Sequence, residues 1–154
     1  EFKTFLKISP PLRTEEDRLS LVQGIKENLI DVIVSDHLPE DEESKRLPFA
    51  QAATGSIGIE TLLPLALEMY HNDSLSLNKI IETITINPSK ILMINKGSLK
   101  RGADGDICIF DLEAPWKLDA EKLKSKSKNT AIEERKLQGK VLMTFLNGEL
   151  VFNY

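Results

Sequence analysis

Asp36 and His37 close the apolar run Val32-Ile33-Val34-Ser35, and Leu38-Pro39 follow them. A carboxylate and an imidazole are side chains that bind borderline cations and move protons. The run is apolar on both faces, as buried parallel strands are. Its end therefore emerges where α/β folds place their sites. An ionised Asp36 in that place binds a hard or borderline cation and takes a proton from metal-bound water. His37, next along the backbone, points differently and orients neighbours. The competing reading is an Asp that caps a turn and a His packed on the sheet. The long loop Pro39 to Ser56, rich in charge and glycine-bounded, favours the site.

Other residues support this chemistry less directly. Gly55 and Gly58 let the backbone approach a ligand closely, so an exposed N–H there could bind a carboxylate or carbonyl; a turn leading into a helix explains them equally. Ser9, Pro10, Pro11 and Arg13 would share a rim with Asp36 if the strands before them are parallel. Arg13 then binds an anion, although a surface ion pair is its default. Asp41-Glu42-Glu43 with Lys45-Arg46 reads as a solvated loop. His71, in His71-Asn72-Asp73, reads as a surface residue. With only two histidines, the chain lacks a full ligand set of its own.

The elements that must position these residues follow from pattern. Phe2 to Ile8 reads as a short strand, closed by Pro10-Pro11. Thr14 caps a helix from Glu15 to Glu27, with acids in its first turn and Leu21, Val22, Ile25 and Leu29 on one face. The strand Asp31 to Ser35 follows, which makes a parallel α/β unit. Ile59 to Tyr70 is the next helix, with Pro64 in its first turns. Leu77, Ile80, Ile81 and Ile84 give another helical face. Asn87-Pro88 starts a short helix through Leu92, Asn as cap and Pro at its first position. After Gly97 the character changes. Asp106 to Phe110 reads as a strand, and Asn147-Gly148 joins Lys140–Leu146 to Glu149–Phe152 as a hairpin. Residues 1–95 thus form an α/β body and 96–154 a small β unit.

Composition narrows the class. The 154 residues carry 20 basic and 24 acidic side chains, for a net charge of −4, and no basic patch suits nucleic acid. Lys122 to Lys128 alternates with serines and reads as a solvated loop. The single cysteine, Cys108, sits in an apolar stretch and reads as a buried thiol, so a reducing, cytoplasmic setting fits. No apolar run approaches a membrane span. The chain starts at Glu1 without methionine, as a piece of a longer protein would.

In order along the chain, Lys7-Ile8-Ser9-Pro10-Pro11-Leu12-Arg13, Ile30 to His37, and Gly55-Ser56-Ile57-Gly58-Ile59-Glu60-Thr61-Leu62-Leu63-Pro64 resemble the C-terminal third of a class I dihydroorotase, within the amidohydrolase superfamily. Asn87-Pro88-Ser89-Lys90-Ile91-Leu92, Gly102-Ala103-Asp104-Gly105-Asp106-Ile107 and Gly139 to Gly148 resemble the superfamily's later motifs. Lys45-Arg46-Leu47-Pro48-Phe49 and Ser127-Lys128-Asn129-Thr130 are similar to a divergent bacterial branch.

The resemblance implies an α/β fold: the C-terminal portion of a metal-dependent TIM-like barrel, its last two βα units, plus the C-terminal strands of a small β domain. It implies zinc in the full-length enzyme and reversible cyclisation of N-carbamoyl-L-aspartate to dihydroorotate in pyrimidine synthesis. Asp36 matches the aspartate that ends the last barrel strand, binds metal and shuttles the proton. Ser9, Glu40, Thr54 and Gly55 match substrate-binding positions. Of these Gly55 agrees with the family, whereas Ser9 replaces a usual asparagine, Glu40 a histidine and Thr54 an aromatic residue. A glutamate facing an anionic substrate is electrostatically wrong unless it is turned away or protonated.

A complete barrel needs about 250 residues. The family's His-x-His and later metal histidines have no counterpart here, so the isolated chain is expected to bind no catalytic zinc pair and to have no activity. Expected partners are the small-molecule substrate, the N-terminal part of the barrel and further copies of the chain. Two alternatives stay open: a silent dihydroorotase-like scaffold for aspartate transcarbamoylase, and another cyclic-amide hydrolase such as a hydantoinase or allantoinase.

Overall fold

The computed structural model describes residues 2–154. Helix α1 spans Glu15–Lys26 and begins where the sequence placed it. Thr14 and Asp17 form a reciprocal capping box, and Glu15, Glu16 and Asp17 lie against the positive end of the helix. A short helix α2, Glu42–Arg46, follows, capped by Asp41, whose side chain accepts from Ser44 N–H. The Pro39–Ser56 loop is therefore partly helical. Helices α3 (Leu62–His71), α4 (Leu77–Ile84) and α5 (Ile86–Ile91) complete the α part. Ile25, Ala66, Leu75 and Ile80 form a buried cluster, with Val22, Ile33 and Met69 packed on it. One side of α1, α3 and α4 supplies most of it, with Leu75 from the α3–α4 connection, and its burial holds the three helices together.

Two expected strands do not form. Phe2 to Ile8 contains a 3-10 turn at Thr4–Leu6 instead. The Asp31–Ser35 segment pairs with no strand among the described residues: Ile33 N–H goes to the Thr83 carbonyl and Leu38 N–H to that of Ser56. Val34 is 69 % exposed and Leu38 47 %, where a buried strand would hide them. Strand pairing is non-local, and an apolar run without a neighbouring strand satisfies its backbone elsewhere. α5 is also capped differently. Thr85 precedes it, and Asn87, inside the helix, donates from Nδ2 to the Asp31 carbonyl at 2.9 Å. α3 starts later than Ile59 because Gly58 to Thr61 makes a turn, closed by Thr61 N–H to the Gly58 carbonyl.

The β part is a three-stranded antiparallel sheet in the order β1 (Ile107–Lys117), β2 (Lys136–Leu146), β3 (Glu149–Asn153). Ile107 faces Phe145 and Lys117 faces Lys136, with register shifts between. Asn147 and Gly148 have φ of 53° and 83° and form the expected tight turn. Asp106 Oδ1 accepts Asn147 N–H at 2.8 Å, and Lys96 Nζ donates to Asp106 at 2.5 Å. Cys108 is exposed, against expectation; it lies on β1, an edge strand of the sheet. The sheet leans on α3 through Gly139 (φ 96°), where an added Cβ would lie 2.5 Å from Leu67 Cδ1.

The Lys122–Lys128 run is not a free loop. Lys124 and Ser125 N–H groups bind the Glu60 carboxylate, and the Ser127 hydroxyl donates to the Glu40 carbonyl. Asn129 and Thr130 at its end are buried. The segment packs back onto the Pro39–Ser56 loop.

Candidate functional site

Asp36 ends the Val32–Ser35 run with φ of 42°, a left-handed conformation that costs a non-glycine residue energy and that aspartate tolerates better than most. Its side chain is exposed, and no ion pair among the described residues engages it. Non-glycine residues held in such backbone often sit at functional sites.

Asp36 lines a cavity of about 510 Å³ with Ser9, Leu38, Gly55, Gly58 and Arg135. The walls are otherwise largely apolar side chains such as Ile33, Leu65 and Met69. Three of the five residues singled out by sequence, Ser9, Asp36 and Gly55, thus come together. The other two do not join them. Glu40 lines a separate cavity of about 770 Å³ with Arg46, Lys126 and Lys128. Thr54 is half-buried and does not line the Asp36 cavity.

Gly55 differs from expectation in one respect. Its N–H is donated to the Lys7 carbonyl at 3.0 Å and is not free for a ligand. The glycine is needed for close approach: an added Cβ would stand 2.8 Å from the Leu38 carbonyl oxygen. Gly58 is tighter still, with its virtual Cβ 2.5 Å from the Ser35 carbonyl oxygen. These two glycines let the chain run against the Asp36 segment on both sides of Asp36.

His37 does orient neighbours. Nδ1 accepts Gly58 N–H at 3.1 Å and Ile59 N–H at 3.4 Å, so its ring proton is on Nε2 when the imidazole is neutral. It lines a third cavity, of about 630 Å³, with Trp116, Lys140 and Tyr154. His71 is half-buried rather than at the surface, and its Nε2 is buried without a hydrogen-bond partner among the described residues. Arg13 pairs with Asp17 at 3.6 Å, the surface ion pair that was its default reading.

Lys45, expected in a solvated loop, and Asn129, given no role from sequence, are both buried beside the cavity wall. Lys45 is 0 % exposed, and Nζ donates to the carbonyls of Lys7, Ala53 and Gly55 at 3.2, 3.1 and 3.0 Å. Burial pulls its ammonium below the usual lysine range, the Glu40 charge opposes this, and Lys7 adds to it. Asn129 Nδ2 donates to the Gly55 carbonyl at 3.2 Å, and its Oδ1 accepts Glu40 N–H at 3.2 Å. A lysine beside Arg46 and three acids carries no local sign of burial.

A metal implied by the resemblance does not fit these residues on their own. Among the described residues, no three His, Cys, Asp or Glu side chains are grouped to hold an ion. Asp36 stands as a single donor.

Comparison with known proteins gives this geometry a context. The chain is 45% identical over 149 residues to a dihydroorotase of Ehrlichia canis, covering 97% of this chain and 33% of that protein. It is 44% identical over 152 residues to a dihydroorotase of Anaplasma phagocytophilum, covering 99% and 34%. The chain spans about a third of the length of these relatives. Among solved structures, an L-hydantoinase (dihydropyrimidinase) from Arthrobacter aurescens superposes with a TM-score of 0.92 at 29% identity, over 99% of this chain and 35% of that one. The family described as Amidohydrolase family matches residues 8–151, nearly the whole length, and the chain belongs to that family.

Proposed function

We propose that this chain is the C-terminal part of a dihydroorotase, which interconverts dihydroorotate and N-carbamoyl-L-aspartate in pyrimidine synthesis. The observation that carries the reading is the shared cavity of Asp36, Ser9 and Gly55. Three residues far apart in sequence converge there, at the positions where the resemblance assigns the acid and substrate contacts.

The chemistry asked of Asp36 is proton transfer. Opening the cyclic amide needs a base to take a proton from the attacking water and an acid to give one to the ring nitrogen as its bond to carbon breaks. One exposed carboxylate performs both in turn, and reverses them on cyclisation. Ser9 offers a hydroxyl donor and acceptor, and Gly55 a backbone wall with no side chain to exclude substrate. Substrate contact falls to these two ahead of Glu40 and Thr54, which do not line the cavity of Asp36. Glu40 is then turned away, which removes the electrostatic conflict with an anionic substrate.

Zinc is the metal proposed for the full-length protein, with Asp36 as one ligand and the others supplied from outside this chain. In the same reading residues 1–95 are the last two βα units of the TIM-like barrel and residues 96–154 the end of the small β domain. The exposed Val34 and Leu38 side chains support a covering layer from the preceding barrel strands.

The likeness to an L-hydantoinase favours a second reading, hydrolysis of another cyclic amide. Assaying the full-length protein on dihydroorotate beside hydantoin and allantoin separates the two. Turnover of dihydroorotate is expected. Preference for hydantoin or allantoin would overturn the assignment, and no turnover of any would favour a silent subunit beside aspartate transcarbamoylase.

A further inference from the structure

We propose that Lys45 is the positioning residue of the substrate side of the Asp36 cavity. The loop leading to Gly55 lacks a hydrogen-bond ladder of its own. From Phe49 to Gly55 the backbone forms neither helix nor strand, so its carbonyls need other donors. Two lysines provide them. Lys7 Nζ donates to the carbonyls of Phe49, Ala50 and Ala52 at 2.8, 3.1 and 2.7 Å. Lys45 Nζ donates to those of Lys7, Ala53 and Gly55. Each ammonium has three protons and each serves three carbonyls.

The two clamps differ in where they act. The Lys7 ammonium is half-exposed and binds only the loop. The Lys45 ammonium is buried and joins two segments: the chain leading to Ser9, through the Lys7 carbonyl, and the Gly55 wall, through the Gly55 carbonyl. Gly55 N–H to the Lys7 carbonyl closes the same ring. Asn129 adds a second donor on the Gly55 carbonyl. Lys45 thus braces, with the direct Gly55–Lys7 bond and Asn129, the separation of Ser9 and Gly55.

Asp36 is held by other bonds. Ile33 N–H binds the Thr83 carbonyl, Leu38 N–H binds that of Ser56, and His37 Nδ1 receives Gly58 N–H. Loss of Lys45 should loosen the substrate side and leave the acid in place. A general weakening of the fold would instead reduce both together.

The proposal rests on the reading of this cavity as a cyclic-amide site, so the test has one arm that needs no substrate. In the full-length protein, Lys45→Met removes three charge-assisted bonds. The Gly55 amide is expected to exchange its hydrogen at least about tenfold faster, while the Ile33 and Leu38 amides are unchanged. With dihydroorotate, KM is expected to rise about tenfold or more and kcat to stay within about threefold. Asn129→Ala, which spares the ammonium, is expected to raise KM by a smaller factor and serves if Lys45→Met does not fold. Unchanged Gly55 exchange in a folded variant overturns the proposal, as does a fall in kcat with constant KM. If the wild-type protein turns over a different cyclic amide, the functional assignment fails alone, and KM for that substrate reads the role of Lys45. If it turns over none, the Gly55 exchange decides.

Discussion

Gly58 N–H donates to Nδ1 of His37 at 3.1 Å, and this bond commits the imidazole to the backbone while Asp36, one residue earlier, stays with the cavity. Two adjacent side chains that look alike as chemistry in the sequence are thereby given different tasks. The close Gly58–Ser35 approach makes that division possible, since the virtual Cβ of Gly58 lies 2.5 Å from the Ser35 carbonyl oxygen.

Asp36→Asn keeps size and hydrogen-bonding atoms but cannot accept a proton. In the full-length protein kcat for dihydroorotate should fall by about 10²-fold or more, the scale of a lost general acid–base. Tm should barely move, because the carboxylate is exposed and makes no ion pair among the described residues. Steady-state kinetics with a thermal melt checks both, and near-normal turnover would sink the proton-transfer role.

Gly58→Ala should destabilise the protein by about 1–3 kcal/mol, since the new methyl meets a backbone carbonyl that cannot rotate aside. It should also displace the amide that His37 receives. Denaturant unfolding measures the first effect, and the nitrogen chemical shifts of His37 the second. A variant as stable as the wild type would contradict the close approach.

Asp106 ties the Asn147-Gly148 turn to Lys96. The Asn147 amide, and after it the Lys96 ammonium, holds this carboxyl below its ordinary 3.8. A depressed carboxylate stabilises the fold above its ordinary pKa, and that help is lost as pH falls through the lower folded value. Asp106→Ala should therefore lower Tm by a few degrees at pH 7, and the gap to wild type should close in acid below pH 3.8. A gap that persists unchanged well below pH 3.8 would rule out the linkage.

The isolated 154-residue chain should retain no stoichiometric zinc after equilibrium dialysis, because no three candidate ligands are grouped among its described residues. Elemental analysis reads this directly. Zinc-dependent turnover of dihydroorotate by this chain alone would refute it.

Features governed by neighbours along the chain were legible. The Thr14 cap, the apolar face of α4 and the Asn147-Gly148 turn each depend on residues within a few positions, and each forms as expected. Features governed by distant partners were not. The Phe2–Ile8 strand failed because pairing needs a neighbour that pattern cannot supply. Cys108 was expected to be buried from its apolar flanks, yet burial depends on what covers the sheet. The Lys122–Lys128 run looked solvated because its anchors, Glu60 and Glu40, lie more than sixty residues away.

By itself the sequence determined the family, since an ordered set of short motifs survives in residue order alone, and it singled out Asp36 as the candidate acid. It also determined the start of α1, whose Thr14 cap is a local hydrogen bond. Only the tertiary structure decided which candidates share a cavity. It joined Asp36 with Ser9 and Gly55, sent His37 and Glu40 to separate cavities, and buried Lys45 among three carbonyls. Those outcomes depend on how segments tens of residues apart satisfy each other's backbone, and no spacing along the chain encodes that.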